Sequence, residues 1–582
     1  GQVANQYDAA NNRTLRISAD GTSTRYRWDA GNRLLGETAG EHQTIYAYDA
    51  EGRLTEATNG DTREQFGYNL EGQLTEHTRT IDEYQFTTLY DYDEVGRAIR
   101  KRLPDGQSLR YHYHDSGPNH GQLRAITRES LFGFTQGTLI AEIDLDARDG
   151  ATGYLAHNGL RTDYRFAPNG VVQSIEVGQA LQIAYRYDDA GRIIGIDNNQ
   201  TFESFQYSEN RLVSASTRSG DFEYRYDAVG NRVSETVVSS GTVSDSKHYR
   251  YPEEGSGNRL LETMDSITGT QEHRQYNSAG SLIARSSVAD TSGGLASDRV
   301  NRRFDYNHEQ RPIAVYENGQ LLAQYRYNAF GERIAKVVHS STGAPRVTYF
   351  LHDGHRLTAE IQGDGSIAAQ YVYLSDERAV LKLRGEQIFA IHGDHLGTPL
   401  MMSDQSAGVV WDAQYDPYGE ATILVEQESL DLRLPGQVYD AETGTHYNRY
   451  RDYDPQTGRY QTSDPIGLEG GVNTYAYAEG LPNLLTDVLG LDTTSANNPL
   501  PGVEKPAADF ESKLSYVLDH VKHRLTTQGA VTVADKFFDD VKAAATILAG
   551  VAAVVGVGLG AAAATGVGLP VALGALASAA SA

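Results

Sequence analysis

The chain has 582 residues, with 37 Tyr and 59 Gly against 2 Trp and 3 Met, and it contains no Cys. Tyrosine favours strands and glycine supplies turns, so this composition points to a repetitive, mainly β scaffold and excludes disulfide staples and thiolate metal sites. A formal charge of -26 argues against a nucleic-acid-binding surface, since phosphate contacts need clustered Lys and Arg, so no nucleic-acid partner is expected.

The N-terminus, GQVANQYDAANNRT, shows neither a basic nor an apolar leader region. It starts in the middle of a repeat and reads as a piece of a longer protein. From residue 1 to 425 the chain repeats itself at a period of about twenty residues. The copies STRYRWDAGNRLLGE (from Ser23), TIYAYDAEGRLTEA (from Thr44), IAYRYDDAGRIIGI (from Ile183) and AQYRYNAFGERIAK (from Ala323) share one unit. It is aromatic-x-Tyr/Trp-Asp/Asn, then a Gly two or three residues on and an Arg-apolar pair four or five residues on. Aromatic-x-Tyr has a strand's period of two, and Asp-x-x-Gly is turn chemistry, so each unit is expected to be a β-hairpin. One hairpin cannot bury its apolar face, whereas about 20 of them paired into a continuous coiling sheet can. His112, His114, His392 and His395 fall within this texture. HGDH at 392–395 supplies too few donors for a full metal site, so neither a metal nor a cofactor is expected.

Between residues 426 and 491 the texture tightens. Asp464-Pro-Ile-Gly-Leu468 is echoed by Asp487-Val-Leu-Gly-Leu491, with valine where the first copy has proline. Two carboxylates held together can hydrolyse a peptide without metal or cysteine, one activating water and its protonated partner polarising the carbonyl. The sequence alone does not bring the two motifs together.

The repeats resemble the tyrosine–aspartate (YD) repeats of Rhs proteins, of insecticidal toxin-complex C subunits and of teneurins. The stretches GDHLGTPLMMSD (from Gly393), LRLPGQVYDAETGTHYNRYRDYDPQTGRYQTSDPIGLEGG (from Leu432) and NTYAYAEGLPNLLTDVLGL (from Asn473) are similar to the Rhs core-associated segment almost position by position. The resemblance implies a hollow β-cocoon closed by this core segment, with aspartyl-protease-like self-cleavage at the Leu491–Asp492 bond. By match, Asp464 and Asp487 are the dyad, with Arg451 and Asp452 as their partners. It also implies a secreted antibacterial effector delivered into target cells, with an immunity protein, secretion-spike proteins and a loading chaperone as partners. A toxin-complex C-like component, an enzymatic toxin tail and a non-toxic adhesion shell are the alternatives.

After Leu491 the composition changes. Residues 492–509 read as a Pro/Asn/Ser-rich linker, and 510–582 as a toxin segment. Phe510, Leu514, Val517, Leu518, Val521 and Leu525 have helical spacing, and a second helix is expected through VADKFFDDVKAAA. From Ala543 to Ala582 there are 40 residues without a charge. A membrane span takes about 20 apolar residues. Gly556 and Gly560 are spaced like a packing face, and Pro570 would break the run into a hairpin. The expected target is the bacterial cytoplasmic membrane.

Overall fold

The computed structural model describes residues 3–491, apart from 118, 130–134, 146–150, 199–200, 254–256, 289–299 and 376–377, together with 494–495. Apart from 494–495, the expected linker, helices and apolar run, including Asp492, Gly556, Gly560 and Pro570, lie outside the described residues. Among the described residues, 38 strands form a single sheet. It is a meander in which each strand pairs antiparallel with its neighbour in sequence, from Ala4–Tyr7 with Arg13–Ile17 to Val409–Tyr415 with Ala421–Glu426.

The unit at His42–Thr58 shows why the sequence folds this way. Strand His42–Tyr48 turns through Asp49–Arg53 into strand Leu54–Thr58. The Asp49 carboxylate accepts the Arg53 backbone N–H at 2.8 Å, and Gly52 takes φ 86° to complete the reversal. Arg53 then does two things. Its Nε donates to Asp49 Oδ2 at 2.6 Å, and its NH1 reaches forward to the Asn69 carbonyl of the next unit at 3.1 Å. The same guanidinium lies 5.0 Å from the centre of the next unit's Tyr68 ring, whose hydroxyl donates back to the Leu54 carbonyl at 2.8 Å. The signature Asp, Gly, Arg and Tyr are thus a turn and a link to the neighbouring turn.

The link recurs along the ribbon. Tyr48 bonds Leu34 O at 2.9 Å, Tyr113 bonds Ala98 O at 2.7 Å, Tyr207 bonds Ile193 O at 2.6 Å and Tyr327 bonds Pro312 O at 2.8 Å. At the repeat tyrosine the strand register also slips, as at Ala47/Tyr48, Arg186/Tyr187 and Arg326/Tyr327. A bulge raises local twist, so one bulge per unit coils the sheet.

The coil closes on itself. Tyr46 donates to Ala329 O across 283 residues, and Asn158 donates to Ser403 Oγ across 245. Between them, Arg326 pairs with Asp82 and Lys101 with Asp353, each at 2.7 Å. A second coil therefore lies along the first, with donors set against acceptors. Within strands the two faces differ: in Gly220–Tyr226, Phe222 and Tyr224 are buried while Glu223 and Arg225 are exposed.

Beyond Glu426 the chain leaves the large sheet and forms four short antiparallel strands, Val438–Asp440, Thr445–Asn448, Arg451–Asp454 and Arg459–Tyr460. They rest against the coil. Tyr453 donates to Tyr418 O at 2.7 Å, Arg449 pairs with Glu332 at 2.8 Å, and Leu282 N–H bonds Gln461 O at 3.0 Å. Tyr453, Tyr460 and Tyr477 pack on one another and on the buried face of the ribbon. Among the described residues no helix is long and apolar enough to cross a membrane.

Removing one repeat hydroxyl tests the link. Tyr327 is buried, so Tyr327→Phe leaves the Pro312 carbonyl without its donor, at a cost of about 1–3 kcal/mol. The urea midpoint of the variant should fall below that of the parent chain; an unchanged midpoint would contradict the link.

Candidate active site

Three of the four residues expected at the site converge. Arg451 opens the strand Arg451–Asp454, and Asp464 and Asp487 follow it in loops. One guanidinium nitrogen of Arg451 lies 2.9 Å from Asp464 Oδ2 and 2.9 Å from Asp487 Oδ2. All three side chains are about 2% exposed. The rest of the guanidinium is fixed by the chain backbone: Nε donates to Gly490 O at 2.5 Å and NH1 to Thr474 O at 3.1 Å. Its carbon also sits 3.7 Å above the Tyr460 ring.

Each carboxylate is locked by its own motif. The Asp464 carbonyl accepts Gly467 N–H at 3.0 Å and its Oδ1 accepts Ile466 N–H at 2.9 Å, the tight turn that Asp-Pro-x-Gly favours. Asp487 Oδ1 accepts the Leu491 N–H at 2.8 Å, and its Oδ2 accepts the Tyr460 hydroxyl at 2.8 Å. Without proline, the second motif is held by its surroundings. Asn448 donates to Asp487 O at 2.7 Å, and Tyr450 N–H to Leu489 O at 3.2 Å. Gly490 takes φ 69°, and a Cβ there would stand 2.6 Å from the Asn448 carbonyl, so the motif's glycine answers both conformation and space.

Leu491 is the last residue of the motif. A Cβ on Gly470 would lie 2.5 Å from Asp464 Oδ2 and 2.9 Å from the Leu491 carbonyl oxygen. The carboxylate and that carbonyl therefore face the same small space, which a larger residue at 470 would fill. Asp492 lies outside the described residues. Thr494 and Ser495 pair antiparallel with Thr486 and Leu485, so the chain returns past the second motif.

Asp452 is placed elsewhere. Alternate residues of a strand face opposite ways, and Asp452 pairs with Arg333 of the coil at 3.2 Å while Arg451 faces the two motifs. Burial, with Asp440 and Glu442 nearby, pushes its carboxyl up to about 7 despite Arg333. Burial likewise raises the Asp487 carboxyl above its ordinary range, opposed by Arg451 and by the bonds from Tyr460 and Leu491. One guanidinium balances one carboxylate, so a second buried negative charge beside it is costly and favours a proton shared by the pair.

Tyr460, Asn448, Thr474 and Gly470 were not singled out from the sequence. Tyr460 lies four positions before Asp464, and Asn448 three before Arg451, inside stretches already quoted for other reasons. Of the histidines, His392 contacts Ser403 Oγ at 2.8 Å and His395 contacts Asn483 O at 3.0 Å, so each has its own protein partner.

The "Toxin protein Tse5" of Pseudomonas aeruginosa is 29% identical over 70% of this chain and 34% of its own length. The "Double-stranded DNA deaminase toxin A" of Burkholderia cenocepacia is 27% identical over 67% of this chain and 28% of its own. The chain thus spans about a third of the length of these curated relatives. A Photorhabdus luminescens Tc holotoxin pore containing a TccC3 mutant superposes with a TM-score of 0.63 over 86% of this chain and 27% of that one. At 17% identity this likeness establishes the fold. The family described as Teneurin YD-shell matches residues 2–125 and 208–478. The chain belongs to this YD-shell family and is related to Rhs-type toxins and toxin-complex proteins.

Proposed function

We propose that the chain carries the shell of an Rhs-type antibacterial effector and a toxin segment behind it, and that it cuts itself after Leu491. The observation that supports this best is the pair Asp464 and Asp487 on one Arg451 nitrogen, beside the Leu491 carbonyl. Water adds to the Leu491 carbonyl carbon. The ionised member of the pair takes the water's proton, and the protonated member gives its own to the carbonyl oxygen. Collapse of the adduct breaks the bond to the Asp492 nitrogen, which leaves with a proton returned by the pair. Arg451 keeps the shared negative charge in place, and Asp452 fixes the strand that carries Arg451.

The purified chain should run as two pieces, of 491 and 91 residues. Asp464→Asn and Asp487→Asn should each slow cleavage by a factor of about 100 or more and leave one piece. A double band persisting in both variants would overturn the dyad.

Asp452→Asn should still cut, and it should change stability with pH in a defined direction. The folded carboxyl titrates near 7, above the unfolded value of about 4, so between them the folded state holds a proton that the unfolded chain releases, and the cost of withholding that charge grows as pH rises. Asparagine never carries that charge. The melting temperature of the variant should therefore gain on the parent from pH 5 to pH 8, and a constant difference would contradict this placement.

The freed segment carries the uncharged run Ala543–Ala582, and we read it as inserting in the target cell's cytoplasmic membrane and depolarising it. Enclosure by the shell keeps that run from the producer's own membrane until release. Secretion-spike proteins, a loading chaperone and an immunity protein are the partners this reading requires. A relative named a DNA deaminase toxin and another named a probable deoxyribonuclease favour the alternative of an enzymatic tail. Leakage from protein-free liposomes separates the two. The tail should release ions, and Gly558→Arg, which costs about 2.5–3.5 kcal/mol at a span centre, should abolish release without affecting the cut. Toxicity with no leakage would move the assignment to an enzyme.

A further inference from the structure

Along most of the seam between the two coils a donor meets an acceptor, as at Arg326 with Asp82, Lys101 with Asp353 and Asn59 with the Tyr327 carbonyl. One place breaks the pattern. Glu37, on strand Leu34–Ala39 of the first coil, faces His308 and Glu309 on the turn of the second. A carboxylate oxygen from each glutamate and a ring nitrogen of His308 lie within 4.8 Å of one another. His308 Nδ1 is buried and has no hydrogen-bond partner in the protein. The ring of His42, from the first coil, stacks on that of His308 at 5.9 Å. Of the nearby cations, Arg311 Nε lies 3.2 Å from Glu309 while its NH1 bonds Gly331 O, and Arg13 sits over the Tyr26 ring and attracts Glu37 from beyond ion-pair distance. Glu37 makes no ion pair among the described residues.

The turn is also fixed on its neighbour. Gln310, at φ 62°, donates to Asp20 Oδ2 at 2.7 Å, which sets His308 and Glu309 against the first coil. Three potential donors, two carboxylates and one imidazole, thus meet where two parts of the chain about 270 residues apart are pressed together. Imidazole with carboxylate suits a divalent transition metal, and three protein donors leave a position for water.

We propose that Glu37, His308 and Glu309 bind one divalent transition-metal ion, zinc or manganese, which clips the first coil of the shell to the second. The ion joins carboxylates of the two coils where no direct donor–acceptor pair links them. Because its ligands come from both coils, binding favours the closed coil over any opened form.

The test uses the full chain stripped with a chelator and then titrated with zinc chloride or manganese chloride. One equivalent of at least one of these ions should bind, and it should raise the melting temperature. Glu37→Gln, which keeps the side chain's shape, and Glu309→Gln should each weaken binding at least tenfold and remove the metal-dependent part of the melting shift. In chelator these variants should still fold and melt cooperatively, which separates loss of the ion from loss of the fold. His392→Ala, away from the seam cluster, should bind as the parent does. Failure of both ions to bind, or equal binding and equal shifts in the two glutamine variants, would overturn the proposal.

Discussion

The arginine that ends the signature turns, as at Arg33, Arg53, Arg97 and Arg192, is the interaction on which the rest of the structure depends. Its guanidinium closes its own turn on the aspartate four residues back and reaches the next unit's backbone and tyrosine ring, as Arg53 does with Asp49, Asn69 and Tyr68. The tyrosine hydroxyl answers by bonding the previous unit's return strand. Neighbouring hairpins are thereby coupled by side chains as well as by the strand ladder. A meander of 38 strands would otherwise be held by nearest-neighbour ladders alone, which leave its curvature loosely specified. The link, together with the bulge at each tyrosine, gives the ribbon a repeated geometry, and repeated geometry produces a coil.

The site inherits its order from that coil. The strand Arg451–Asp454 is pinned on one side by Arg333 through Asp452 and packed on the other through Tyr453. This leaves Arg451 with little freedom, and its position gathers two loops that share no secondary structure. The carboxylates meet because both loops supply an acceptor to one guanidinium. A peptide carbonyl sits beside them because Gly490 turns the chain back and Gly470 leaves room for it.

The sequence made the repeat readable, since a strand's period and turn chemistry are local properties. The role of its arginine was not readable, because Arg53 acts on a tyrosine in the following unit and pattern alone names no partner. Asp464, Asp487 and Arg451 were found through motif echo and family resemblance; their convergence required the fold. Asp452 illustrates the limit. It is adjacent to Arg451 in sequence, and strand alternation sends it to the opposite side. Tyr460 and Asn448 bond Asp487 across 27 and 39 residues, a separation that no local signal spans. The seam cluster of Glu37, His308 and Glu309 is more remote still, because it exists only where the ribbon returns upon itself. For residues 510–582 the reading rests on helical spacing and apolar composition alone.

The proposed role of the carboxylate pair is hydrolysis of one particular peptide bond. Intact-mass spectrometry of the purified chain tests it most directly. A large fragment ending at Leu491 and a small one beginning at Asp492 are expected, both unmodified, with neither mass present in Asp487→Asn. A break at any other bond, or the same two masses in the variant, would contradict it.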